Sequence, residues 1–420
     1  MALVKAFEHT SRCMQRLGFI KYAVSRCALS DTSNLASLGQ ALVTSAAQKV
    51  RITLTPEILA YVEKRLTDRA YQELRRTISK LPEESRFQSS VSLELQDIYL
   101  SSPELPSQTG KLVYDDWKRF PRFLSSLGLM RRGTYSLFVR GQLLLKLVPQ
   151  GELAAFKEYI PEHNPFKLDL KQKLLFLRQF MEYDGDVLHP LFSQLRGLGD
   201  SFTDRDAGDL LPLIFRELGR KARPRARSGN DIEWLQQLLD TASSIEKWKG
   251  KPYSGKGARE ESITVRVEPL VDIGLLDKED PFSYRYRISA AGKVLVDSLL
   301  TSNDINDFLT KRFFQVCSSC FDITAEPAKD RHLILEGLYD SYNSLKSALG
   351  YAPITDVALL AGITSLIEKG IYFEVDDAVN ILKQRQKEHP ETLRFNIDRT
   401  GKLTYVKFNT APVPASRGSL

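Results

Sequence analysis

A mainly α-helical fold with small β-hairpins is predicted by two features of the sequence. Apolar residues recur at helical spacing along most of the chain, and two Gly-apolar helix exits each lead into a short alternating run. No fixed-period repeat or long low-complexity tract argues for a solenoid or for disorder.

Composition bounds the classes. With 420 residues, 42% hydrophobic and 26% charged, the chain holds material for about two to four domains with separate cores. Met1–Tyr22 lacks a basic segment followed by an apolar one, and no run of about 18 apolar residues occurs, so neither a secretory signal nor a membrane span is expected. Four cysteines, Cys13, Cys27, Cys317 and Cys320, are too few for a disulfide framework and suit a reducing compartment; a cytoplasmic location is the default expectation.

Residues 1–100 read as a helical N-terminal domain, with amphipathic Glu57–Ile78 and a Ser-rich Phe87–Glu94, followed by a Pro/Ser linker over Ser101–Gly110. A first compact window spans 111–150. Phe120, Phe123, Leu124 and Leu127 share a helix face, Gly128-Leu129-Met130 forms the exit, and Arg131, Arg132, Gly133 and Thr134 make a basic turn. Tyr135, Leu137 and Val139 then alternate with Ser136, Phe138 and Arg140 before a return helix over Gln142–Leu147 that has no evident N-cap.

Residues 168–300 read as a helical segment completing a second window. Leu168–Tyr183, Val187–Leu198, Asp204–Leu218 and Asp231–Lys247 are predicted helices, the third capped by Thr203. In Arg259–Leu300, Ile263, Val267, Leu270 and Val271 fall at i, i+4, i+7 and i+8, and Gly274 stops the helix. Leu275 and Leu276 begin a strand, and Tyr284, Tyr286 and Ile288 alternate with outward Arg285 and Arg287. Ser289 then precedes a helix carrying Leu295 and Leu299. Pro269 inside the helix opens a second reading, in which Ser262–Val267 is a strand and Pro269 begins a short helix. The helical phasing and the following hairpin favour the first.

The order helix, Gly-Leu-Leu, hairpin, helix resembles the winged helix-turn-helix superfamily, and the first window repeats it. The resemblance implies tandem winged-helix modules joined by helical domains. Residues 301–420 supply a C-terminal helical domain: Leu333–Leu345, Thr355–Lys369 closed by Gly370, Asp376–Glu388, and a hairpin around Arg399 and Gly401. It fits either a third such module or an inert helical cap with a terminal ribbon.

Charge points the same way. The chain carries +7 and a pI near 9.0, and RELGRKARPRAR places Arg216, Arg220, Lys221, Arg223, Arg225 and Arg227 against Glu217 alone. Lys247, Lys249, Lys251, Lys256 and Arg259 then lead into the second window beside Trp248 and Tyr253. Such a cluster suits phosphate neutralisation, although charge runs also serve as solvated linkers, and acidic Asp277, Glu279 and Asp280 at the wing tip oppose contact. The expected contact residues are Arg131, Arg132, Arg140, Arg220, Lys221, Arg223, Arg225, Arg227, Lys256, Arg259, Arg266, Arg285 and Arg287, with Arg266 facing the major groove.

Catalytic and cofactor motifs are weak. GKPYSGKG nearly matches a phosphate-cradling loop, but Gly257 replaces the magnesium-binding hydroxyl. Cys317 and Cys320, with His332, leave a zinc site without a fourth ligand, and His189 beside Asp184 and Asp186 suits a helix boundary. No cofactor or metal is expected. The resulting expectation is a non-catalytic, double-stranded DNA-binding recognition subunit with other protein subunits as partners, in a prokaryotic antiviral defence or genome-maintenance complex. A transcription regulator, and an enzyme or interaction scaffold with winged-helix docking modules, are the alternatives.

Overall fold

The computed structural model describes residues 4–7, 17, 18, 20, 21, 24, 25, 124, 125, 127–131, 136–149, 168–199, 201–247, 258–279, 285–302, 304–398, 401 and 403–412, with backbone alone at 258–261. The described chain is mostly helical with short strands, and none of its helices is long and apolar enough to cross a membrane. It divides into two units. One comprises 1–137, 148–168 and 183–289; the other comprises 138–147, 169–182 and 290–420.

The elements in chain order are α1 (Val139–Lys146), α2 (Leu170–Gly197), β1 (Phe202–Thr203), α3 (Asp204–Ala222), α4 (Gly229–Glu246), α5 (Ala258–Ile273), β2 (Leu276–Lys278), β3 (Arg285–Ile288), α6 (Ala290–Leu300), α7 (Ile305–Lys311), α8 (Phe313–Cys320), β4 (Glu326–Pro327), α9 (Arg331–Leu345), β5 (Ala352–Pro353), α10 (Ile354–Thr364), β6 (Ile371–Tyr372), α11 (Val375–Glu388), β7 (Leu393–Ile397) and β8 (Leu403–Phe408).

In the first unit, α3 packs against α4 and α5, and the sheet runs β1-β3-β2, all antiparallel. Thr203 caps α3 as expected: its hydroxyl accepts from Asp206 N at 3.2 Å while the Asp206 carboxylate accepts from Thr203 N at 2.8 Å. The exit after α5 also follows the sequence. Gly274 adopts φ +93, a conformation that a side chain would strain, and Leu275 N returns to Leu270 O at 2.8 Å. Along β3, Tyr286 and Ile288 are buried while Arg285 and Arg287 are exposed, as the alternation predicts.

The helical reading of α5 therefore holds, and the strand alternative does not. Pro269 lies within the helix. Two predicted helices are one: α2 runs unbroken through Tyr183–Asp186 and contains Pro190. The polar residues that suggested a break are used by the core. Asp184 accepts from Phe7 N at 2.9 Å, and Asp186 accepts from Lys5 N at 2.8 Å.

In the second unit, α9 and α11 flank α10, and the sheet runs β5-β8-β7, again antiparallel. A π-helical turn, Ser365–Lys369, follows α10 and ends at left-handed Gly370. A parallel bridge between β4 and β6 and the helices α7 and α8 were not anticipated from the sequence. Each unit thus has its own three-stranded sheet in which the first and last strands are neighbours, with helices between the first strand and the terminal hairpin.

Much of the first sequence window lies outside the described residues. Leu137 and the residues before it belong to the first unit, whereas Phe138–Leu147 belong to the second. Among its described residues Met130 forms an antiparallel bridge with Leu137, and Val139 opens α1 instead of ending a strand.

Candidate nucleic-acid interface

The corner between α3 and α4 gathers Arg220, Lys221, Arg223, Arg225 and Arg227. Arg220 and Lys221 occupy the last turn of α3, where cations complement the exposed carbonyls. Arg223–Pro224–Arg225 forms a single 3-10 turn, Ala226 is extended, and Ser228 caps α4 by accepting from Asp231 N at 3.1 Å. Pro224, at the start of that turn, fixes its backbone.

The acids nearby are already committed. Asp231 accepts from the backbone N–H groups of Ser228 and Arg227 at 3.0 and 3.1 Å, and these bonds hold its carboxyl below the usual aspartate range. Glu217 pairs with Lys221 at 2.6 Å, and Arg216 pairs with Glu246. Lys221 and, more weakly, Arg220 keep the Glu217 carboxyl low. Arg223, Arg225 and Arg227 are exposed, and their guanidinium groups have no ion-pair partner among the described residues. A helix C-terminus explains Arg220 and Lys221; it does not explain three further cations beyond the helix end.

The other predicted contact residues divide sharply. Arg266 does not face a groove. It is completely buried, with Nε and Nη2 at 2.7 and 2.9 Å from the two Asp184 oxygens, and Nη1 donates to Ser262 O at 2.5 Å. The Phe7 and Phe215 rings lie 5.7 and 5.4 Å from the guanidinium. Burial raises the Asp184 carboxyl above its ordinary range against the opposing pull of Arg266. Its helix is no better exposed, since every residue from Ser262 to Leu270 is buried. A groove-reading helix must leave one face open.

Nor does Arg140 lie on the surface. It is buried, pairs with Glu182 at 3.0 Å and contacts Asp356, whose carboxyl burial pushes up while Arg140 draws it down. Arg285 and Arg287 are exposed, but Glu279 and Asp277 lie 3.1 and 3.4 Å away, and Asp277 is the direct cross-strand neighbour of Arg287. These pairs account for the two arginines as ordinary strand partners. Arg131 is exposed. Arg132 and Lys256, and the side chain of Arg259, lie outside the described residues.

Of the weak catalytic motifs, GKPYSGKG lies outside the described residues. Cys317 and Cys320 are buried free thiols, and His332 Nδ1 lies 3.3 Å from Glu336. No group of three metal-ligating side chains occurs among the described residues.

Sequence reasoning missed a second basic surface. Arg394 and Lys407 are direct cross-strand partners on the outward face of the β5-β8-β7 sheet. The signal was present in the alternation Leu393, Arg394, Phe395, Asn396, but it becomes visible only when β8 supplies the opposite residue.

No protein-family model, curated protein or solved structure matches this chain.

Proposed function

We propose that this protein binds double-stranded DNA through its phosphate backbone, as a non-catalytic recognition subunit, with the α3–α4 corner as the principal contact. The observation carrying this reading is the set of exposed Arg223, Arg225 and Arg227, without an ion-pair partner among the described residues, on a corner fixed by Pro224 and the Ser228 cap. Closely spaced cations of this kind release counterions when they meet a polyanion, and affinity then falls steeply with salt. The first-third-second strand order in both units supports assigning them to the winged-helix class, although the buried α5 removes the usual groove contact from the first. The contact is accordingly to phosphate and carries little sequence preference.

Fluorescence anisotropy with a labelled duplex across a salt series tests the reading. Replacing Arg223, Arg225 and Arg227 together by alanine should weaken binding at low salt and reduce the logarithmic salt slope by up to about 3. Exposed Lys293→Ala serves as the control. An unchanged slope in the triple variant would remove the corner from the interface. A protein-docking role is the second reading, favoured by the inward Arg140 and Arg266 and the acid-paired Arg285 and Arg287. It predicts no salt-dependent duplex binding by the unaltered protein.

A further inference from the structure

We infer that the outward face of the β5-β8-β7 sheet is a platform for a single nucleic-acid strand, with Tyr405 stacking a base and Arg394 and Lys407 holding the adjoining phosphates. The register builds the platform row by row. Leu393 faces Phe408 and Phe395 faces Val406 on one side of the sheet, and Leu393, Phe408 and Val406 are buried. The intervening pairs, Arg394 with Lys407 and Asn396 with Tyr405, must then point to the other side. Pro353 of β5 lies beside Tyr405 in the same row.

The outward rows combine cations with ring faces. Tyr405 retains 42% exposure, a large value for an aromatic residue in a paired strand. Lys407 Nζ lies 5.5 Å from the Tyr351 ring centroid, so Tyr351 borders the cationic row. Neither Arg394 nor Lys407 has a carboxylate at ion-pair distance among the described residues.

Folding alone does not call for this arrangement. Like charges directly across a strand pair repel and lower sheet stability, whereas Arg285 and Arg287 of the other sheet each meet an acid. An anionic partner relieves the repulsion, and an exposed tyrosine in the row beside the cations favours a partner with flat, unpaired rings. A single strand offers both: phosphates for the cations and bases free to stack. In a duplex the bases stack on each other. The acidic alternative, a carboxylate-rich peptide, has no use for the ring. This surface belongs to the second unit and the α3–α4 corner to the first, and the inference does not depend on duplex binding at the corner.

The test is anisotropy of fluorescein-labelled oligothymidylate with the full chain. Tyr405→Ala should weaken binding about tenfold, with Tyr405→Phe retaining it. Replacing Arg394 and Lys407 together by alanine should lower the logarithmic salt slope by about 1 to 2. All these side chains face outward, and circular dichroism verifies that the variants fold. The Tyr405→Ala loss should persist in the Arg223→Ala, Arg225→Ala, Arg227→Ala background, which separates this site from the corner. Equal affinity of Tyr405→Ala and the unaltered protein overturns the inference. Binding of polyglutamate as tight as that of oligothymidylate also overturns it, and assigns the cations to an acidic protein.

Discussion

Glu374 shows how a single buried carboxyl ties the second unit to pH. Its oxygens accept from Phe314 N at 3.1 Å and Gln315 N at 2.9 Å, joining the start of α8 to the residue before α11. Burial pushes its pKa up to about 7, although the two backbone N–H groups and Arg178 oppose the shift and Asp377 adds to it. The unfolded chain ionises near the ordinary glutamate value, so between about pH 4.5 and 7 the folded form holds a proton that the unfolded form has lost. The stability contribution is therefore complete below about pH 4.5 and declines as pH rises through about 7, by an amount on the order of 3 kcal/mol. Glu374→Gln should flatten this part of the melting-temperature profile measured by calorimetry; a profile that keeps its slope would assign the effect to another group. Residue-scale features were unevenly legible. The Thr203 cap and the Gly274 stop are local backbone chemistry and were readable directly. Arg140 and Arg266 were assigned to the surface by their charge, because the acids that allow their burial lie far along the chain.

Among the elements, α5 departs most from expectation. Its phasing was read from four apolar positions, yet Thr264, Arg266 and Glu268 are buried as well. Lys278 Nζ and the Tyr286 hydroxyl both reach Glu268, at 3.1 and 2.6 Å, so Glu268, like Arg266, has specific partners on the hidden faces. Periodicity detects the apolar stripe and cannot reveal that the opposite stripe is covered too. Removing one half of the Arg266–Asp184 pair strands the other in the core. Asp184→Ala should cost about 3–5 kcal/mol in denaturant unfolding. Asp184→Leu combined with Arg266→Met should recover most of that loss, because no buried charge is left unpaired. A double variant as unstable as the single one would show that the guanidinium contacts beyond Asp184 dominate.

For the molecule as a whole, most described helices and the β2–β3 and β7–β8 hairpins were legible, while α7, α8 and the pairings that close each sheet were not. β1 joins β3 across the three intervening helices, and β5 joins β8 across α10 and α11. Two-residue strands carry too little alternation to be recognised, and their partners are fixed by packing. The corner was legible because a dense charge run needs no tertiary information, whereas the sheet platform needed the register. The second unit also encloses Cys317 and Cys320, one helical turn apart on α8. Burial raises the Cys317 thiol well above its usual value and pushes Cys320 up to about 12, so reagents meet little thiolate while the unit is closed. With Cys13 and Cys27 changed to serine, alkylation becomes a stopwatch for the moments when this half of the protein opens. Faster labelling of Glu374→Gln than of the parent, at a pH where both remain folded, would time how often the α8 lock lets go.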